Sequence, residues 1–325
     1  MIDRAAHPPS PRPSSRFGGR GGPAPSKRPL IIDTDPGIDD ALAILLTCAS
    51  PELELRALTT VAGNVGVSLT TANALKLLEL AGRSDIPVHA GSAAPLARQH
   101  PAGRVSPHGT TGMDGADLPS PRGEAAAQPA VDFLIDTLSA AAPGSMTLAA
   151  IGPLTNVATV LQRAPAAGSA LAELVIMGGA TPRIGGNMSP HAEFNIHMDP
   201  EAAAVVFAST LPITLVPLDL SYQMAATRAR IERFAAIEGP VGRAVSGMLR
   251  FYHDGDGHLH DALTIAWLLR PDLFAGRRAV VKVETGGAHD GETVFDWRED
   301  GTCRVLLQGQ PDAFFDLLVE RLAGL

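Results

Sequence analysis

At 325 residues, with 45% hydrophobic and 18% charged side chains, the chain has the composition of a globular protein, which excludes disorder over its whole length. A formal net charge of -8 and a pI near 5.7 argue against a nucleic-acid binder, which needs a basic surface to displace counterions from phosphates. Only Cys48 and Cys303 are present, too isolated for a disulfide framework or thiolate metal site. There is no long apolar run or secretory leader, so a cytoplasmic protein without a membrane partner is expected.

Residues 1–27 cluster Pro, Ser, Gly and Arg with almost no large apolar side chains. They cannot offset their ordering entropy and are expected to form a disordered arm, leaving 28–325 as one domain. From residue 29 onward, short apolar runs alternate with helical patterns. Strands are expected at 30–33, 53–60, 146–151, 174–177 and 213–216, and helices at 39–47, 69–80 and 260–269, with another opened by Pro153 and Leu154. This alternation predicts an α/β, Rossmann-like open and mainly parallel sheet flanked by helices. Ligands of such sheets bind beyond the carboxyl ends of the strands. The polar clusters at 33–40, 63–64, 152 and 187–195 all follow expected strands and are expected to line one cleft.

The first of these clusters places Asp33, Asp35, Asp39 and Asp40 within eight residues, after an apolar strand and around a Pro36-Gly37 turn. Like charges at that spacing raise one another's pKa unless a cation neutralises them. Oxygen donors without neighbouring Cys or paired His select Ca²⁺ or Mg²⁺ over Zn²⁺. Asp39 and Asp40 could instead serve only to cap the following helix, but four aspartates exceed that need.

The segment Asp-Thr-Asp-Pro-Gly-Ile-Asp-Asp-Ala at 33–41 resembles the N-terminal signature of the inosine-uridine-preferring nucleoside hydrolase family. The resemblance continues through Thr59-Thr60-Val61-Ala62-Gly63-Asn64, His108-Gly109, Gly152-Pro153-Leu154-Thr155-Asn156, Met177-Gly178-Gly179, Ala192-Glu193-Phe194-Asn195 and His260-Asp261. It implies the nucleoside hydrolase fold, with 28–325 as its catalytic domain. It also implies a Ca²⁺ cofactor held by the side chains of Asp35, Asp40 and Asp261 and by the backbone carbonyl of Ile151. The implied reaction is hydrolysis of a ribonucleoside N-glycosidic bond in nucleoside salvage, by direct attack of metal-bound water with Asp35 as general base. Asp39, Asn64 and Asn195 would then hold the ribose 2′ and 3′ hydroxyls, with Asp261 also at the sugar and Asn187 and Glu193 at the 5′ hydroxyl. Phe194 would pack beside the sugar, His108 near the base, and His260 would protonate the leaving base. A homodimer or homotetramer is implied by the resemblance alone.

The stretch 251–258, with Tyr252, His253 and His258, departs from the family pattern and is expected to be a lid. Neither Trp267 nor Trp297 falls where purine-specific members place stacking indoles, which favours pyrimidine or broad specificity. Two other readings share the acidic segment. One is a Mg²⁺-dependent phosphatase using Asp33 and Asp35, which lacks a matching downstream lysine motif; the other is a catalytically silent riboside binder, which retention of Asp35 and Asp261 disfavours.

Overall fold

The computed structural model describes residues 27–99 and 106–325. Apart from Lys27, the expected N-terminal arm lies outside the described residues.

The chain runs through β1 (Arg28–Thr34), α1 (Ile38–Cys48), β2 (Leu53–Thr60), α2 (Val67–Leu80), β3 (Val88–Ala90), α3 (Ala130–Ala140), β4 (Met146–Ala150) and α4 (Thr155–Arg163). It continues with β5 (Leu171–Met177), α5 (Phe194–Met198), α6 (Pro200–Phe207), β6 (Ile213–Val216), α7 (Leu218–Ser221), α8 (Arg228–Ala235), α9 (Gly239–His253) and α10 (Ala262–Leu269). It closes with β7 (Phe274–Val283), β8 (Thr293–Trp297), β9 (Cys303–Gly309) and α11 (Pro311–Leu322). One sheet has the order β3-β2-β1-β4-β5-β6-β9-β7-β8. Pairing is parallel from β3 through β9, and the last two strands are antiparallel.

A parallel sheet is covered on both faces, so its strands are apolar throughout and successive residues enter opposite cores. Leu30 and Ile32 of β1 join the core under α1, α9, α10 and α11, whereas Ile31 joins that under α3, α4 and α6. In β5, Val175 and Met177 face the first core and Leu174 and Ile176 the second. The same alternation carries Asp33 toward α4 and Thr34 toward α1. The chain goes from β1 out to β2 and β3, then returns to β4 on the other side of β1. This reversal opens the crevice between β1 and β4, the place where such sheets bind ligands.

The expected elements coincide with the observed ones to within a few residues, with β2 and β6 matching at both ends. The exception of consequence is the lid. Residues 251–253 form the last turn of α9, where Tyr252 is buried at 1% exposure and only 254–258 turns back. Val241, Val245, Met248, Leu249 and Tyr252 recur at helical spacing and bury one face of α9. That stripe overrides the glycine-rich appearance of the segment. The helix expected at 260–269 begins at Ala262, because Leu259 donates to the Met224 carbonyl and holds the preceding chain out of helical form. Among the described residues no helix is long and apolar enough to cross a membrane.

Candidate active site

A cavity of about 220 Å³ opens at the carboxyl ends of β1, β2, β4 and β5. Its walls include Asp39, Asn64, His108, Ile151, Asn187, Glu193, Phe194, Asn195, His260 and Asp261, so most of the expected site residues meet there. Asp35 and Asp40 lie against this floor.

The acidic floor follows from the β1–α1 turn. Gly37 caps α1, and Asp40, three residues on, accepts its amide at 2.8 Å and the Thr34 hydroxyl at 2.5 Å. Both Asp39 and Asp40 lie in the first helical turn, where the dipole favours negative charge. Capping and site-building are thus compatible uses of the same carboxylates. Asp261, at the start of α10, meets them from the helix packed beside α1. Asp39, Asp40 and Asp261 each present a ligand oxygen, the three within 4.8 Å of one another. This trio contains Asp39 where the family resemblance had implied Asp35.

Asp35 sits beside the trio between two glycines. A Cβ at Gly63 would stand 2.1 Å from its Oδ2, and one at Gly152 2.6 Å from its Oδ1. Both positions therefore require glycine by close approach. Asn64 donates its backbone amide to Asp35 Oδ2 at 2.7 Å, and its Nδ2 reaches the Asp35 carbonyl at 3.2 Å and Asp40 Oδ2 at 3.3 Å. Asn195 Nδ2 bridges the carbonyls of Ile151 at 3.0 Å and Met177 at 3.1 Å, tying the ends of β4 and β5. The Ile151 oxygen keeps a second lone pair for another partner.

The three carboxyls of the trio titrate high. Burial first, and then the Asp40 charge, push Asp39 up to about 7 against an opposing contribution from His260. Burial, followed by Asp39, Asp40 and Asp35, raises Asp261 well above the carboxylate range. Burial also raises Asp40, though Thr34 and Gly37 oppose it. An all-oxygen, buried and mutually repelling donor set fits a hard divalent cation.

Asp33 has a different fate from its neighbours. It accepts the Thr59 hydroxyl at 2.5 Å and Asn156 Nδ2 at 2.8 Å, and it does not line the cavity. It joins β1, β2 and α4, so it is not placed to serve the phosphatase reading.

Against the same β1–α1 turn, His108 Nδ1 accepts the Ile38 amide at 3.0 Å. This neutral pairing matters more than the longer 3.8 Å approach to Asp39, since a nitrogen that accepts carries no proton. The His108 ring stacks on Tyr252 with centroids 4.9 Å apart. His260 Nδ1 lies 2.8 Å from Ser221 Oγ, and its Nε2 lies 3.3 Å from Asp256 Oδ1, out of alignment for a hydrogen bond. Burial alone would lower its pKa, but Asp256, Asp39 and Glu193 together raise it to about 9. Asp256 also holds His258 Nδ1 at 3.0 Å, and Tyr222 stands 5.0 Å from the His258 ring.

Glu193 is buried and caps α5, accepting the amides of Asn195, Gly179 and Ile196. Burial raises its pKa against those three donors. Asn187 Oδ1 accepts the Phe194 amide at 2.8 Å. Asp256, Ser221 and Tyr222 escaped the sequence reading. The partners of Ser221 and Tyr222 lie on a distant segment, and the local signal for Asp256 was its two- and four-residue steps to His258 and His260. Trp267 donates to Glu173 at 2.8 Å and Trp297 stacks on Phe295, and neither lines the cavity.

A family model described as inosine-uridine preferring nucleoside hydrolase matches residues 30–316. A pyrimidine-specific ribonucleoside hydrolase, RihA, from Photobacterium profundum is 43% identical over 312 residues, covering 91% of this chain and 99% of the relative. Among solved structures, a plant nucleoside hydrolase superposes with a TM-score of 0.83 at 33% identity, over 92% of this chain and 99% of its own. A purine-preferring ribonucleoside hydrolase from Gardnerella vaginalis gives 0.84 at 29% identity, over 91% and 98%.

Proposed function

The chain belongs to the inosine-uridine-preferring nucleoside hydrolase family and is an N-glycosyl hydrolase of ribonucleosides; from that premise we propose a Ca²⁺-dependent enzyme that prefers pyrimidine nucleosides. The observation that carries the metal is the convergence of Asp39, Asp40 and Asp261 within 4.8 Å. The preference for pyrimidines is supported by the 43% identity to RihA and by a cavity wall without Trp among the described residues.

Asp40 and Asp261, with Asp35 and the Ile151 carbonyl, would hold the cation, and Asp39, the remaining carboxylate of the cluster, would stand beside it on the sugar side. When bound, it supplies positive charge that acidifies and orients water. Asp35 takes the proton as that oxygen bonds to C1′ and the C1′–N bond breaks. The neighbouring carboxylates stabilise positive charge developing on the ribose. Asp39, Asn64 and Asn195 orient the 2′ and 3′ hydroxyls, and Asn187 and Glu193 the 5′ hydroxyl, so binding energy from the sugar holds the reactive geometry. Glu193 also repels a 5′-phosphate, which favours nucleosides over nucleotides. His260, whose proton the nearby Asp256 carboxylate favours, donates it to the departing base, and Tyr252 and His108 form the wall beside it. The products are ribose and free base.

The test is release of base from uridine, cytidine, inosine, adenosine and guanosine, before and after EDTA treatment and Ca²⁺ readdition. Uridine and cytidine should turn over fastest, and EDTA should abolish turnover until Ca²⁺ returns. Faster purine release would overturn the base preference, and full activity in EDTA the metal dependence.

A further inference from the structure

Outside the catalytic cavity, His191, His289 and Glu292 each present a ligand atom, all within 4.8 Å of one another. We propose that they form a second metal site, selective for a Zn²⁺-class cation, that clamps the loop carrying Asn187 to the β7–β8 turn.

The three ligands come from two segments already joined by backbone. Ala192 and Glu292 form an isolated antiparallel bridge. On one side, Ser189 Oγ accepts the amides of His191 at 3.2 Å and Ala192 at 3.0 Å. On the other, the Glu292 amide donates to the His289 carbonyl at 2.9 Å, and the Glu284 amide to the Glu292 carbonyl at 2.9 Å. The side chains thus project from a pinned base. The two imidazoles stand 4.2 Å apart, tilted by 38°, and Glu292 Oε2 contacts His289 Nδ1. Asp290, the nearest other carboxylate in the turn, is taken by Arg98 at 2.7 Å.

The donor chemistry separates this cluster from the acidic floor. Two imidazole nitrogens and one carboxylate oxygen suit Zn²⁺, Ni²⁺ or Cu²⁺, whereas the buried all-oxygen trio suits Ca²⁺. Zinc bonds of about 2.0–2.1 Å place tetrahedral ligands about 3.3 Å apart. Small side-chain rotations close the 4.8 Å limit to that spacing, because His289 is exposed and His191 and Glu292 half-buried. The fourth position would take water. Asn187 and Met188, on the same loop as His191, line the catalytic cavity, so a cation here would stiffen one cavity wall.

The experiment uses the tag-free, Ca²⁺-saturated full chain titrated with Co²⁺, read by its visible d–d absorption and by competition with Zn²⁺. One equivalent should bind with nitrogen coordination. His191→Ala and His289→Ala should each weaken it about 100-fold, at least the loss typical of removing an outer-shell partner. Zn²⁺ should also slow amide exchange at 187–192 in the parent chain and not in His289→Ala. Absence of a nitrogen-coordinated Co²⁺ species overturns the proposal. So does an affinity in either variant equal to the parent's, which would leave the cluster as a His–Glu surface pair with a stacked neighbour.

Discussion

At the scale of single residues, Asp35 and His260 divide the proposed chemistry between base and acid, and their surroundings differ accordingly. Asp35 is wedged between Gly63 and Gly152 and accepts the Asn64 amide. Asp35→Asn keeps this packing while removing the charge that takes the proton. Its turnover of uridine should fall by about 10²–10⁴, the range for a general base, while its melting temperature holds or rises because one repelling charge is gone. Turnover near that of the parent would remove Asp35 from the role. His260→Ala should slow uridine by about 10² and an activated nitrophenyl riboside far less, since that leaving group departs without a proton. Equal losses on the two substrates would argue against acid catalysis by His260.

Elements are held in register around the site by buried polar ties, the strongest of which centres on Asn156. Its Nδ2 donates to Asp33 Oδ1 at 2.8 Å and to the Thr60 carbonyl at 2.9 Å, while its Oδ1 accepts the Ser92 amide at 2.9 Å. One side chain on α4 thereby joins the ends of β1 and β2 and the segment after β3. Asn156→Ala leaves these groups without that partner, each buried group costing about 1–3 kcal/mol when unsatisfied. The expected loss is about 2–4 kcal/mol, seen as a lower urea midpoint with an unchanged slope. A midpoint equal to the parent's would show that the tie is dispensable. The motif residues Asp33 and Asn156 are therefore structural, although they lie in the same short segments as residues assigned to catalysis.

For the whole molecule, the buried acids govern how stability depends on pH, and the proposed cation would offset them. In the metal-free protein the folded state raises Asp33 from 3.8 to about 6 and Asp39 from 3.8 to about 7. It raises His260 from 6.5 to about 9. Each group therefore binds its proton more tightly when folded. The stability from the two acids is complete below about pH 4 and lost as pH rises through about 6 and 7. That from His260 is complete below about 6.5 and lost through about 9. Metal-free protein should thus melt at progressively lower temperature from pH 5 to pH 9. In the proposed enzyme Ca²⁺ would replace the missing protons at the acidic cluster, so the rise in melting temperature on adding it should be larger at pH 8 than at pH 5. Calorimetry across that range checks both slopes, and a Ca²⁺ effect independent of pH would contradict this linkage.

The five strands from β1 to β6 other than β3, the acidic turn and the polar residues at strand ends could all be read from the sequence, because each is written in local pattern. An apolar run predicts a buried strand, and Pro36-Gly37 a turn. The family resemblance extended the same reading to Asp261, far along the chain. Tertiary structure alone decided how the carboxylates divide. Side-chain alternation along β1 sends Asp33 to Thr59 and Asn156 on one face and Thr34 to Asp40 on the other, and packing of α10 against α1 brings Asp261 to Asp39 and Asp40. It likewise decided that Tyr252 belongs to a buried helix rather than a lid, since the partner that covers its ring, His108, lies more than a hundred residues away. Ser221 reaches His260, and His191 reaches His289, by contacts no local spacing encodes. Sequence pattern follows the periodicity of a single element, whereas charge neutralisation and ligand convergence depend on which elements the sheet order makes neighbours.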